Sequence, residues 1–365
     1  MTLNLLSQLE ELAEGAGNAD DRSIYRAQWA GTMARFGRIG EARAEISKLR
    51  QLNASYSPRP TAWILIAEGL ADHFESLSTN ALGKFKSAHA IGVAIRDQDI
   101  QSFAAAWLSA SEFLVGTYES AVSHAIEAIQ NAPSTGSIAL SRAHLVLANI
   151  NYTVALYPEA GVHYAKARHY AVAAHDISMQ SAALYNVAAF RIARLSLEDA
   201  LNGEALLDEV RAAELELASI TNLDRGLGVD SLGGMIPILH AQVFLVKKAW
   251  SEANTWYASA IPEATKYGQL RWAPRFLAEQ SHAQAMLGLQ ESAAELVARA
   301  ISEVSDRIDQ DDLAACHARL GHAFTALGNE REAAIHASKA RECALRFAAR
   351  QDTQRALVAP LFSIT

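Results

Sequence analysis

The strongest constraint in this chain is a column of small residues that returns on one phase about every 40 positions. Ala42, Ala81, Ala121, Ala160, Ala200, Ala253, Ala293 and Ala333 are separated by 39, 40, 39, 40, 53, 40 and 40 residues. Seven places after each stand Leu49, Ala88, Ala128, Ala167, Leu207, Ala260, Ala300 and Ala340, two turns along the same helical face. Twelve places before each stand Ala30, Gly69, Ser109, Ala148, Ala188, Ala241, Ser281 and Gly321. Two helices of a hairpin approach closely only where the facing side chain is small, so this column predicts the contact inside each of about eight hairpins.

Other columns fit the same phase. Gly37, Gly116, Gly288 and Gly328, five places before their anchors, suit a left-handed residue that ends the first helix. Glu41, Glu159, Asp199, Glu252 and Glu332, immediately before theirs, suit the positive first turn of the second helix. Half the residues are hydrophobic but only 7% are aromatic and eight are proline, a composition for closely packed helices.

Leu320-Gly321 with Phe324 and then Ala333, together with Tyr118, Tyr157 and Trp250 three places before their anchors, resemble the tetratricopeptide signature. The likeness spans about residues 23 to 353 and implies an all-α, right-handed superhelical solenoid of antiparallel hairpins. It departs from that family in its period, near 40 instead of 34, and in Asp72, Glu112, Asn151, Arg191 and Gln284, which stand where an aromatic is usual. The longer period resembles the helical-repeat sensor regions of bacterial regulatory proteins. The expected organisation is a capping helix over 1–22, repeats one to five over 23–219, a Gly-rich interrupting loop over 220–233, repeats six to eight over 234–353 and a tail over 354–365. The loop is placed by the 53-residue gap and by the glycines from Gly226 to Gly234.

The resemblance also implies a ligand surface on the concave face, lined by first-helix positions 18, 15, 11 and 8 before each anchor. Carried over, these give Trp63, His73, Phe103, Phe113, Arg142, Asn149, Tyr152 and Tyr185, and in later repeats Arg275, His282 and His322. Asn186 beside them joins Asn149 as an amide able both to donate to and to accept from a peptide backbone. Met235 and Leu239 replace basic residues of the family's carboxylate clamp, which argues for an internal peptide segment or a small signal molecule over a free C-terminus.

Several chemistries lack their signatures. A net charge of −8 without a long Lys/Arg run disfavours nucleic acid and anionic membrane. Cys316 and Cys343 fit neither a disulfide framework nor a zinc pair and read as reduced thiols. The twelve histidines include no HExxH, and His163, His169 and His175, six apart, point in different directions around a helix. Gly226-Leu-Gly228-Val-Asp-Ser231 follows a helix and ends in Ser, so it lacks the context of a dinucleotide loop. No signal peptide or apolar run of 18 residues is present, which predicts a cytoplasmic protein. The expectation is therefore a non-catalytic peptide-binding scaffold without cofactor or metal. A ligand-sensing regulatory module is the second reading, and an enzyme with an unrecognised site the third.

Overall fold

The computed structural model describes residues 5–52, 57–76, 80–134, 136–203, 207–227, 235–266, 272–305 and 308–362. Helix α1 (Leu5–Glu14) precedes eight hairpins: α2 (Ala19–Arg35) with α3 (Ile39–Gln51), α4 (Pro58–Ser76) with α5 (Asn80–Ile95), α6 (Gln98–Leu114) with α7 (Tyr118–Gln130), and α8 (Ser137–Thr153) with α9 (Tyr157–Ala173). They continue as α10 (Ile177–Asn202) with α11 (Leu207–Leu227), α12 (Ile236–Val246) with α13 (Trp250–Lys266), α14 (Ala273–Met286) with α15 (Gln290–Glu303), and α16 (Gln310–Ala326) with α17 (Glu330–Phe362). No strand occurs among the described residues, and none of these helices is long and apolar enough to cross a membrane.

All eight residues of the small column are buried, from Ala30 to Gly321. Their contacts are those the steric reading requires. The Ser109 hydroxyl donates to the carbonyl of anchor Ala121 at 2.6 Å, and a Cβ built on Gly69 would stand 2.7 Å from the ring of Phe85. Farther along each hairpin, Ser102 and Ser141, at equivalent positions, donate to Ala128 and Ala167, both at 2.8 Å. The turn column holds as well: Gly37, Gly116, Gly288 and Gly328 have φ between 77° and 79°. Ala155 and Lys248 occupy the same column with φ near 60°, a conformation that costs a side-chain-bearing residue about 1–2 kcal/mol.

Four boundaries differ from the sequence reading. α2 begins at Ala19, capped by the Asn18 side chain, which accepts from the Asp21 N–H at 2.8 Å, so the capping helix is shorter than 1–22. Residues 220–227 are the end of α11 and not a loop, because the first glycine, Gly226, falls only in its last turn; Gly228 to Gly234 lie outside the described residues. Residues 354–362 continue α17 and are not a tail: Val358 is buried, with Leu361 and Phe362 packed on the same core, a helically spaced apolar face.

The fourth difference relocates the interruption. α10 runs 26 residues against 17 for α8, passing through the place where the phase called for a turn. Ala200 thus lies in the first helix of the fifth hairpin, and its second helix presents Ala213, Leu217 and Ile220, all buried, at the anchor positions. Ala213 stands 40 before Ala253, so the 13 added residues lie between Ala188 and Ala213.

The chain divides into two compact units. Unit 1 comprises Met1–Leu184, Asp224–Ser231 and Gln354–Thr365; unit 2 comprises Tyr185–Leu223 and Leu232–Thr353.

Candidate functional site

In unit 1 the first helices enclose a cavity of about 290 Å³. α2 lines it with Ile24, Ala27 and Gly31, and α4 with Trp63, Ile66 and Leu70. These are the same three repeat positions, 18, 15 and 11 before the anchor. Phe103 of α6 adds the first such position of the third repeat, and Leu5 and Leu9 of α1 close one side. The rings of Trp63 and Phe103 meet edge to face with centroids 5.2 Å apart, an aromatic wall, and the buried Trp63 indole N–H has no acceptor. The repeat positions give Trp63 and Phe103 from sequence, and the equivalent residues of the first repeat complete the wall.

Beyond the inner end of this cavity lies a cluster of buried polar groups. Leu70 and Ala139 line the cavity, and His73 and Arg142 follow each by three residues on the same faces of α4 and α8. The Arg142 guanidinium lies over the Trp107 ring, 3.8 Å from its centroid, and its Nη2 is 3.2 Å from the Met179 sulfur. Burial, and then the positive charge of Arg35, pull the Arg142 pKa down to about 9. Arg35, itself a cavity wall, is paired with buried Asp176 and donates to Thr32 Oγ1 at 3.1 Å. His73 packs against Phe74 and Trp107, and burial followed by the charge of Arg142 lowers it to about 3, so it is neutral near neutrality.

The other expected groove residues of unit 1 take part in packing within hairpins. Phe113 stacks on Tyr118 at 5.5 Å, and Tyr152 meets Tyr157 at 4.8 Å. Asn149 accepts a hydrogen bond from the Tyr164 hydroxyl at 2.9 Å, which occupies its carbonyl oxygen.

Unit 2 contains Tyr185, Asn186, Arg275, His282 and His322. Burial pushes the Tyr185 phenol up. Arg275 donates to Glu279 at 3.0 Å and to Asp312 at 2.6 Å. Glu279 is the hub of this network, also accepting from Ser196 at 3.0 Å and from the Tyr257 hydroxyl at 2.7 Å. Although burial pushes it upward, Arg275, Tyr257 and Arg319 hold Glu279 below the usual carboxylate range. Arg319 donates to Asp199 at 2.6 Å. Asp199, expected in the first turn of a second helix, is instead a buried ion-pair partner at the end of α10. Ser196, Asp199, Leu197 and Ala200 from the added length of α10 all pack against α14, α16 or α17. The first-helix surface of the last repeats is therefore covered by this chain itself. His282 stands 5.0 Å from both Trp250 and His322, and burial, then Arg319, lowers its pKa to about 2.

Two histidine pairs escaped the sequence reading. His144–His163 and His317–His336 each place Nδ1 3.0 Å from Nδ1, so that in the neutral pair one ring donates and the other accepts. Both join positions 16 before and 3 after the anchor, where repeat one has the ion pair Arg26–Glu45. Their shared 19-residue spacing was the available signal. Among the described residues no group of three or more His, Cys, Asp or Glu is arranged to hold a metal ion, and both cysteines are buried free thiols.

Two of the solved structures that match this chain share its helical fold. The structure of a Rap protein complexed with competence and sporulation factor matches with a TM-score of 0.59 at 11% identity, covering 91% of this chain and 100% of that one. The fold is a tetratricopeptide-like helical repeat. Aspartyl phosphate phosphatase F from Bacillus subtilis matches with a TM-score of 0.54 at 13% identity, over 93% of this chain and 88% of that one. No protein-family model and no curated protein sequence matches the chain. Identities this low carry the fold alone.

Proposed function

We propose that this chain is a non-catalytic, peptide-binding regulatory scaffold, with the cavity of unit 1 as its ligand site. The observation that carries the reading is the aromatic wall of Trp63 and Phe103 beside a partly open space of about 290 Å³, with a buried indole N–H that has no acceptor. A space of that size holds one or two large side chains, and apolar walls with a few polar groups are the usual make-up of a ligand site. A neighbour in fold that was solved in complex with competence and sporulation factor supports a signal-binding role. Regulation then follows from any ligand that prefers one arrangement of the stacked hairpins, since it shifts the population toward that arrangement.

Calorimetry with pools of apolar and aromatic pentapeptides tests the proposal. Binding should weaken about tenfold or more in Phe103→Ala, through loss of one face of the wall. It should weaken less in Trp63→Phe, which removes the indole donor and one ring but keeps an aromatic face. Equal affinity for wild type and both variants would exclude this cavity. The second neighbour, named a phosphatase, supplies the control: hydrolysis of acetyl phosphate should not exceed that in buffer.

A further inference from the structure

Four arginines are buried among the described residues: Arg35, Arg142, Arg275 and Arg319. Three have a carboxylate partner, in Asp176, Glu279 with Asp312, and Asp199. Arg142 has none: it meets an aromatic face and a thioether, and its Nε lacks any acceptor. The carboxylate closest to being shared, Asp176, is already engaged by Arg35 and by the Met179 N–H at 3.0 Å. Unit 1 thus buries two guanidiniums against one carboxylate at this point. A buried charge without a counter-charge is costly unless something supplies one.

The position of Arg142 indicates the supplier. It follows cavity-lining Ala139 by one turn of α8, as His73 follows Leu70 on α4, and Arg35 belongs to the cavity wall itself. We infer that Arg142 is the anion-recognition point of the groove, and that the natural ligand bears a carboxylate which enters past the Trp63–Phe103 wall to pair with it. A planar guanidinium with a free Nε and a neighbouring Nη matches a carboxylate's two oxygens. The lowered pKa of Arg142 agrees, since the charge of an anion would offset the desolvation and the Arg35 repulsion that cause it. The inference rests on the peptide reading for the body of the ligand and adds the chemistry of its polar group: an acidic side chain or a free C-terminus.

The test uses the full chain, wild type and the variants Arg142→Met and Arg142→Lys. Three pentapeptide pools are titrated by calorimetry: acidic residue with amidated C-terminus, no acidic residue with free C-terminus, and neither. Acetate and glutarate are followed in parallel by thermal shift at constant ionic strength against chloride. Wild type should bind one of the first two pools and not the third, and the pool that binds identifies the source of the carboxylate. Arg142→Met should lose about 30-fold or more of that affinity, the scale for removing one partner of a buried charge pair, while Arg142→Lys keeps part of it. Without ligand, Arg142→Met should melt no lower than wild type, because it removes an unpaired buried charge. Equal binding of all three pools would overturn the carboxylate inference and leave the peptide reading standing. No binding of any pool, with a carboxylate-specific shift lost in Arg142→Met, would overturn the peptide reading alone. Absence of both responses overturns both, and an Arg142→Met that melts lower yet keeps its carboxylate preference reduces Arg142 to a packing residue.

Discussion

The two units solve the same problem in different ways. Each consists of stacked hairpins, and each buries arginines on its first helices. In unit 2 the added length of α10 fills the first-helix surface, and each arginine has a carboxylate: Glu279 and Asp312 pair with Arg275, and Asp199 pairs with Arg319, while Ser196 and Tyr257 donate to Glu279. In unit 1 the corresponding space is open and Arg142 lacks an acid. Under the proposed function, a repeat stack becomes a receptor by what is left out: the filling segment and one counter-charge.

The sharpest way to break this contrast is to remove the hub of unit 2. Glu279→Ala leaves Arg275 with one acid and strands Ser196 and Tyr257, and should destabilise unit 2 by about 3–5 kcal/mol. Urea unfolding followed by hydrogen exchange of α14 and α16 would measure it. A cost as small as that of Arg142→Met would erase the distinction between the two sets of buried arginines.

Acidification acts on both units through their buried histidines. His73, His144 and His163 in unit 1 and His282 and His317 in unit 2 are lowered to about 3, 3, 4, 2 and 4, each chiefly by burial. Because these folded values lie below the unfolded one near 6.5, the unfolded chain binds protons that the folded chain refuses. Their stabilisation is complete above that value and is lost as pH falls toward 4, at up to about 1.4 kcal/mol per pH unit for each group. His124 acts the other way: its bond to Glu112 raises it, so its contribution is present below 6.5 and fades as pH rises through its folded value. Burial lowers His240, His322 and His336 as well, so eight histidines against one predict a melting temperature that drops between pH 7 and pH 5, and a flat or rising curve would refute the burial of the histidines.

Smaller effects test the repeat geometry itself. Gly69→Ala forces a methyl against the Phe85 ring and should cost about 1–3 kcal/mol. Gly321→Ala meets nothing nearer than 3.4 Å and should cost less, although Gly321→Leu exceeds the space. Ala155→Gly relieves a left-handed turn and should raise stability by up to about 1 kcal/mol, visible in thermal unfolding. Reversal of the order between Gly69→Ala and Gly321→Ala would mean that the second hairpin is not packed more tightly at its small residue than the last.

The sequence made the hairpins legible because their signal is steric and local. A small residue at Ala148 or Ser281 and a glycine at Gly116 or Gly288 each answer to one close contact or one backbone angle. It made the exceptions illegible where the cause is tertiary. Nothing between Leu195 and Leu201 breaks a helix, so α10 continues, and Asp199 imitates a helix-start acid until Arg319 is seen beside it. The continuation of α17 past 354 depends on Val358 finding a core elsewhere in sequence. At the candidate site, Trp63 and Phe103 follow from the repeat positions, whereas the isolation of Arg142 depends on Asp176 being engaged by Arg35. No spacing encodes that pairing.

Amide hydrogen exchange of the full chain, with and without the tightest-binding pentapeptide, tests the division between an open and a filled groove most directly. The account predicts added protection in the first helices of unit 1, over 24–35, 59–73, 99–107 and 138–142. Protection confined to α12, α14 and α16 would contradict it.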